Sequence, residues 1–111
     1  MQPGEIFLLN FLSETGMKLR PVLLLTAQVG PVPEVLVAYI SSVMPTQLLP
    51  TDLVIDPSKP EFRPTHLKTI STLRLHKLAT VHGSSPARCL GVIDSATSRA
   101  VANKLRSLLA L

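Results

Sequence analysis

Short apolar runs separated by proline-bearing breakers set the narrowest limit on how this chain can fold. Gly30–Pro31–Val32–Pro33 interrupts the richest apolar region, and Pro45 and Pro50, then Pro57 and Pro64, punctuate the stretch after it. Pieces of that length, rich in Val, Ile and Leu, read as strands rather than long helices. No run of 18 apolar residues exists, so no membrane-spanning helix is expected.

Taken in order, residues 4–11 read as a first strand, apolar on both faces. Residues 12–19, with Ser13, Glu14, Thr15 and Gly16, read as a polar loop. A second strand covers 20–27, with Pro21 near its start, where the missing N–H sacrifices no ladder bond. Residues 34–40 form a third strand, 43–50 a loop and 51–56 a short fourth strand. Residues 57–64 read as a polar loop, and 65–72 as a fifth strand with a bulge near Ser71. That strand continues through 73–82, with Leu75 and Val81 on one side and Arg74, His76 and Leu78 on the other. Ser85–Pro86 resembles a helix start and Gly91 its close, giving a short helical turn, with Val92–Ile93 a brief strand after it.

Asp94 reads as the N-cap of one real helix over residues 95–109. Val101, Leu105, Leu108 and Leu109 would form its apolar stripe against the sheet, and Lys104 and Arg106 suit its C-terminal end. The expected fold is mainly β with one C-terminal helix (α+β), a small SH3-like β-barrel in a single domain spanning 1–111. With 111 residues, one core is expected. It must be built from Leu, Val and Ile, because the chain has no Trp, one Tyr and three Phe. That scarcity argues against an aromatic platform for stacking single-stranded bases.

The chemistry concentrates on Arg20 and Ser41. Arg20 stands directly before the run Val22–Leu25, at the mouth of a strand, and Ser41 ends the third strand. If these strand ends meet, a guanidinium and a hydroxyl lie side by side, a pair suited to gripping a phosphate. Ser42 competes with Ser41 for the role. The plainer alternatives are a surface ion pair between Arg20 and Glu5 or Glu14, and a Ser41 hydroxyl bonded to nearby backbone. A net charge of +4 and a pI near 9.7 suit a polyanion. Lys18, Arg63, Lys68 and Arg74 are candidates for lining its track, though a generally solvated basic surface explains them equally.

His66, His76 and His82 match no zinc spacing and read as surface histidines. Cys89 is the only cysteine, which excludes a disulfide framework within the chain and fits a reducing cytoplasm. It reads as a small buried hydrophobe, or as a thiol with its pKa lowered by Arg88. Glu5 and Asn10 interrupt the N-terminal apolar stretch, so no signal peptide is expected.

Five blocks carry a family resemblance. They are Gly4–Glu5–Ile6, Arg20–Pro21–Val22–Leu23, Val37–Ala38–Tyr39–Ile40–Ser41, Leu67–Lys68–Thr69–Ile70, and a helix after Leu90–Gly91–Val92–Ile93–Asp94. In that order, over nearly the whole chain, they resemble the MazF/PemK toxin family. The resemblance implies a MazF/PemK/CcdB-like barrel that is usually a homodimer. It implies a cytoplasmic endoribonuclease that cuts single-stranded RNA with neither metal nor other cofactor, paired with a cognate antitoxin whose segment crosses the active groove. The family's catalytic arginine falls on Arg20 and its Thr or Ser on Ser41. A loop carboxylate found in some members has its neighbour in Glu14. Ser42, Thr69, Lys18, Arg63, Lys68 and Arg74 are the RNA-contact candidates. Where the family often reads Asp-Gln-Ile-Arg-Thr, this chain has Lys68–Thr69–Ile70–Ser71–Thr72, without the acid, the amide or the arginine.

Metal-free cleavage needs a 2′-hydroxyl to attack the adjacent phosphorus while charge builds on the phosphoryl oxygens. A planar, permanently charged fork fits those oxygens, so Arg20 is expected to act electrostatically and Ser41 to position the phosphate. Two other function classes stay open. One is a non-catalytic RNA- or gyrase-binding module on the same barrel. The other is a degenerate toxin that retains only antitoxin binding.

Overall fold

The computed structural model describes residues 1–111, the side chain of Ser13 excepted. Strands β1 (Glu5–Ser13), β2 (Gly16–Leu24) and β3 (Glu34–Ser41) come first, followed by β4 (Asp52–Ile55). After a 3-10 turn (Pro60–Thr65) come β5 (Ser71–His82), β6 (Pro86–Val92) and helix α1 (Ser95–Leu109). All strands lie in one antiparallel sheet in the order β4-β5-β3-β2-β1-β6, curled into a half-barrel.

The expected polar loop at 12–19 is instead the tip of a hairpin. Residues Ser13 and Gly16 pair across it, and Glu14 and Thr15 make the turn. The ribbon leaves the core there, so Leu12, Met17 and Leu19 are exposed while the ladder persists. The second strand consequently starts earlier than expected, and Arg20 sits within β2, paired with Leu9, rather than at its mouth. Pro21 is internal too. The ladder from β2 to β3 covers only Val22 to Leu24. It begins immediately after Pro21, which has no N–H to donate.

Two apolar clusters form, one for each face of the sheet, in place of the single core expected. The first gathers Ile6, Leu23, Ala38, Ile40, Leu73, Leu75, Ile93 and Val101 under the helix. The second gathers Leu9, Val22, Leu24, Val35 and Val37, with Phe11 and Tyr39 in edge-on ring contact at 5.1 Å. Strand β5 serves both clusters by means of a bulge. Ala38 pairs with Leu78 but Tyr39 pairs with Arg74, leaving Leu75, His76 and Lys77 unmatched. The bulge lies there and not near Ser71. It also reverses the side-chain phase, so Leu75 joins the first cluster while Val81 packs against the second. Their expected placement on one face is corrected accordingly.

Three further expectations change. Residues 57–64 contain most of a 3-10 turn, because Pro60 fits the start of a tight helical segment. Residues 65–70 precede the fifth strand rather than belonging to it. Residues 86–92 form β6 rather than a helical turn, since pairing with β1 overrides the local Ser85–Pro86 signal. Gly91 does not cap a helix. A Cβ on it would lie 2.1 Å from the Pro64 carbonyl oxygen, so glycine is what lets β6 press against the 3-10 turn.

The helix matches its expected span. Asp94 accepts from the Thr97 N–H at 2.8 Å, and Lys104 Nζ donates to the Pro50 carbonyl at 2.9 Å. Val101 and Leu105 pack on the sheet, but Leu108 and Leu109 are exposed and extend the stripe beyond its support. No helix among the described residues is long and apolar enough to cross a membrane.

Candidate active site

Beyond Val22–Tyr39 the neighbouring strands β2 and β3 part, and clefts open between them. Arg20 and Ile40 line three adjoining clefts. The largest, about 360 Å³, adds Ser42, His66, Lys68, Thr69 and Arg88. A second, about 180 Å³, adds Tyr39, Ser41, Arg74 and Lys77. The third, about 290 Å³, is apolar and lined by Phe11, Leu12 and Tyr39. Arg20 is thus the shared wall of a phosphate-sized polar cleft, a larger basic cleft and an apolar one.

Arg20 is exposed, and none of the ion pairs among the described residues includes it. Glu5 instead faces the N-terminal amine at 3.8 Å, and Glu14 stands on the hairpin tip. At about 3.4 Å per residue, that tip lies roughly 15 Å along the hairpin from Arg20. The structure therefore leaves Glu14 outside the group around Arg20. Lys18 lies two residues up the same strand, and Arg63 sits on the 3-10 turn; neither lines the clefts. Ser42, Lys68, Thr69 and Arg74 do share walls with Arg20.

Ser41 reaches the site with its hydroxyl already engaged. Its Oγ accepts from the Val43 N–H at 3.1 Å and donates to the Val43 carbonyl at 3.3 Å. Those bonds fix the turn after β3 and leave the oxygen beside Arg20, Arg74 and Lys77. Arg74 is held from behind. Asp52, whose side chain is fully buried, accepts from Arg74 Nε at 3.0 Å and Nη2 at 3.4 Å, and from the Leu49 N–H at 2.9 Å. His76 Nδ1 lies 4.0 Å from the same carboxylate and 2.9 Å from Thr51 Oγ1. Burial pushes the Asp52 carboxyl up. The Leu49 N–H, Arg74 and His76 outweigh it and hold the pKa below the usual carboxylate range.

His66 is exposed, as expected of a surface histidine, and it also lines the largest cleft with Arg20, a position that the sequence alone does not assign to it. Its backbone is left-handed, with φ of 54°, and its Nδ1 lies 2.8 Å from the Leu90 carbonyl oxygen. Arg88 is a second cleft residue that residue type and spacing do not single out. The only available signal for His66 is its place beside a proline-rich turn, since His tolerates the left-handed region better than most side chains.

Cys89 fits neither a buried hydrophobe nor a thiol of lowered pKa: it is exposed, and its thiol is pushed up. Partial burial of the sulfur is the first cause and the Glu5 carboxylate, 3.7 Å away, the second. Among the described residues, no three His, Cys, Asp or Glu side chains gather as metal ligands.

The family profile of the PemK-like, MazF-like toxin of type II toxin–antitoxin systems matches residues 2–109. A comparison with curated proteins found no match. Among solved structures, the Mycobacterium tuberculosis toxin MazF-mt6 superposes with a TM-score of 0.73 at 22% identity, over 96% of this chain and 97% of that one. MazE–MazF from Deinococcus radiodurans gives 0.72 at 18% identity, over 100% of this chain and 97% of that one. A mycobacterial endoribonuclease in complex with its cognate antitoxin gives 0.69 at 16% identity, over 100% and 96%. At these identities the likeness is one of fold.

Proposed function

We propose, for a chain that belongs to the PemK-like, MazF-like toxins of type II toxin–antitoxin systems, that it is an endoribonuclease cutting single-stranded RNA without a metal. The observation that carries this reading is the position of Arg20. It is a guanidinium without an ion-pair partner among the described residues, at the junction of clefts lined by cations and hydroxyls. A phosphate seated there meets a planar, positively charged donor fork.

In this reading the 2′-hydroxyl attacks phosphorus, the 5′-oxygen leaves, and Arg20 stabilises the charge gathering on the phosphoryl oxygens. Ser41 positions the phosphate through a hydroxyl already fixed by Val43, and Arg74, steadied by Asp52, neutralises a neighbouring one. Lys68, Thr69 and Ser42 contact RNA from the larger cleft. A homodimer in the cytoplasm and a cognate antitoxin competing with RNA belong to the same reading. Its support is family membership, together with the antitoxin complex among the structural neighbours.

The test is cleavage of mixed single-stranded RNA in EDTA by wild type, Arg20→Ala and Ser41→Ala, with analysis of the ends. Cutting that both substitutions abolish, leaving a 2′,3′-cyclic phosphate, supports the reading. A folded wild type that cuts none of several RNAs overturns it. The replacement of the family's frequent acid, amide and arginine by Lys68–Thr72 favours a second reading, a non-catalytic RNA-binding module. RNA binding without cleavage would select it.

A further inference from the structure

We infer that His66 is the general base of this site, taking the proton from the attacking 2′-hydroxyl of RNA. The inference rests on the endoribonuclease reading and assigns a step that Arg20 and Ser41 leave open.

A backbone carbonyl can only accept a hydrogen bond. The 2.8 Å contact between His66 Nδ1 and the Leu90 oxygen therefore places the proton on Nδ1. In the neutral ring the other nitrogen, Nε2, then carries the lone pair, and the ring lines the cleft that Arg20 also lines. A general base needs that tautomer, held in place.

Several features of the chain hold it. His66 caps the 3-10 turn in the left-handed region, its N–H bonded to the Arg63 carbonyl at 3.1 Å. Gly91 allows β6 to close on Pro64 and Thr65, where any Cβ would collide. That close approach is what brings the neighbouring Leu90 carbonyl to the imidazole. A left-handed non-glycine residue costs energy and persists where surrounding structure imposes it. Neither Ser41 nor Arg20 is suited to accept the proton: the hydroxyl is committed to Val43, and guanidinium is already fully protonated.

The charged groups lining the cleft with His66 are Arg20 from β2, Lys68 from the following loop and Arg88 from β6, all cations. The 3-10 turn below carries Glu61 and Arg63, neither of which lines the cleft. The phosphate is thus held by positive charge, and no carboxylate lining the cleft competes with the imidazole for the proton. In the step, Nε2 takes the 2′-hydroxyl proton as the 2′-oxygen bonds to phosphorus. The bond from phosphorus to the 5′-oxygen breaks, and that oxygen takes a proton from water. His66 then releases its proton to solvent.

The experiment measures kcat and KM against pH in EDTA for wild type, His66→Asn and Arg20→Ala, with thermal melts of each. Asparagine accepts left-handed backbone but is no base. His66→Asn should melt like wild type, keep KM within about threefold, and lose about 100-fold or more in kcat. The acid limb of kcat/KM that a general base produces should disappear with it. An active wild type whose acid limb survives in His66→Asn overturns the His66 assignment and leaves the nuclease reading intact. An inactive wild type overturns both. Ring 15N shifts give a readout independent of activity: Nδ1–H in the neutral ring is expected, and Nε2–H would sink the proposal.

Discussion

From Val22 to Leu24, strand β2 is hydrogen-bonded to β1 and β3 and lies buried on both faces. From Lys18 to Arg20 the same strand keeps β1, loses β3 and is exposed. Pro21 stands between the two halves. The inner half joins both apolar clusters, with Leu23 in one and Val22 and Leu24 in the other. The outer half carries Arg20 into the clefts that open where β3 turns away. A rigid strand presents a charge here by dividing the work along its length. Its inner half supplies the anchoring, and its outer half, freed from one neighbour, supplies the access.

The largest expected effect tests the inner half. Leu23→Ala should cost about 3–5 kcal/mol in urea unfolding, because the buried position cannot collapse around the lost atoms. RNA cleavage per folded molecule should barely change; a large loss there would erase the division between the halves. Arg20→Ala is the mirror image, with cleavage expected to fall about 100- to 1,000-fold while stability stays within about 0.5 kcal/mol of wild type. A Tm drop of many degrees would mean that Arg20 belongs to the scaffold.

Asp52 on β4 extends the comparison to Arg74, which shares a cleft with Arg20. Asp52→Asn should cost about 1–3 kcal/mol at neutral pH, since it weakens the support behind Arg74. The sign with pH comes from the lowered carboxyl. Its contribution is complete above the unfolded value, about 3.9, and disappears as pH falls through the folded one. Wild type should therefore lose stability below about pH 4, and Asp52→Asn should lose less over the same interval. Asp56 and Asp94, also held low, leave part of that loss in place. Equal acid sensitivity of the two proteins would remove Asp52 from the account. The smallest effect is assigned to the hairpin tip, where Glu14→Gln should leave cleavage within about twofold and stability within about 0.5 kcal/mol. A tenfold loss would bring the tip into the reaction.

Legibility in the sequence divides along the same line. Helix α1 is legible because Asp94 and the periodic apolar residues act locally, and β3 because its apolar run is buried. The outer half of β2 is not: Met17–Lys18–Leu19–Arg20 alternates, but the stretch is short and follows directly on the polar residues Ser13 to Gly16. Strand β6 is hidden for a related reason: Pro86–Val92 pairs with β1 although its local chemistry suggests a capped turn. Arg20 and Ser41 can be picked out by residue type and strand position. His66 cannot, because its role depends on Leu90, twenty-four residues away, and on the contact that Gly91 permits.

The bulge at Leu75–Lys77 has a consequence for how the chain tolerates change in length. Because β5 turns its odd-numbered side chains from one cluster to the other there, removing one residue would face Ala79 and Val81 the wrong way along the rest of the strand. One strand thus works as a shared spine, and neither apolar cluster can be completed without it. The halves of the sheet are expected to rise and melt together in a single cooperative transition, with no smaller piece able to stand by itself.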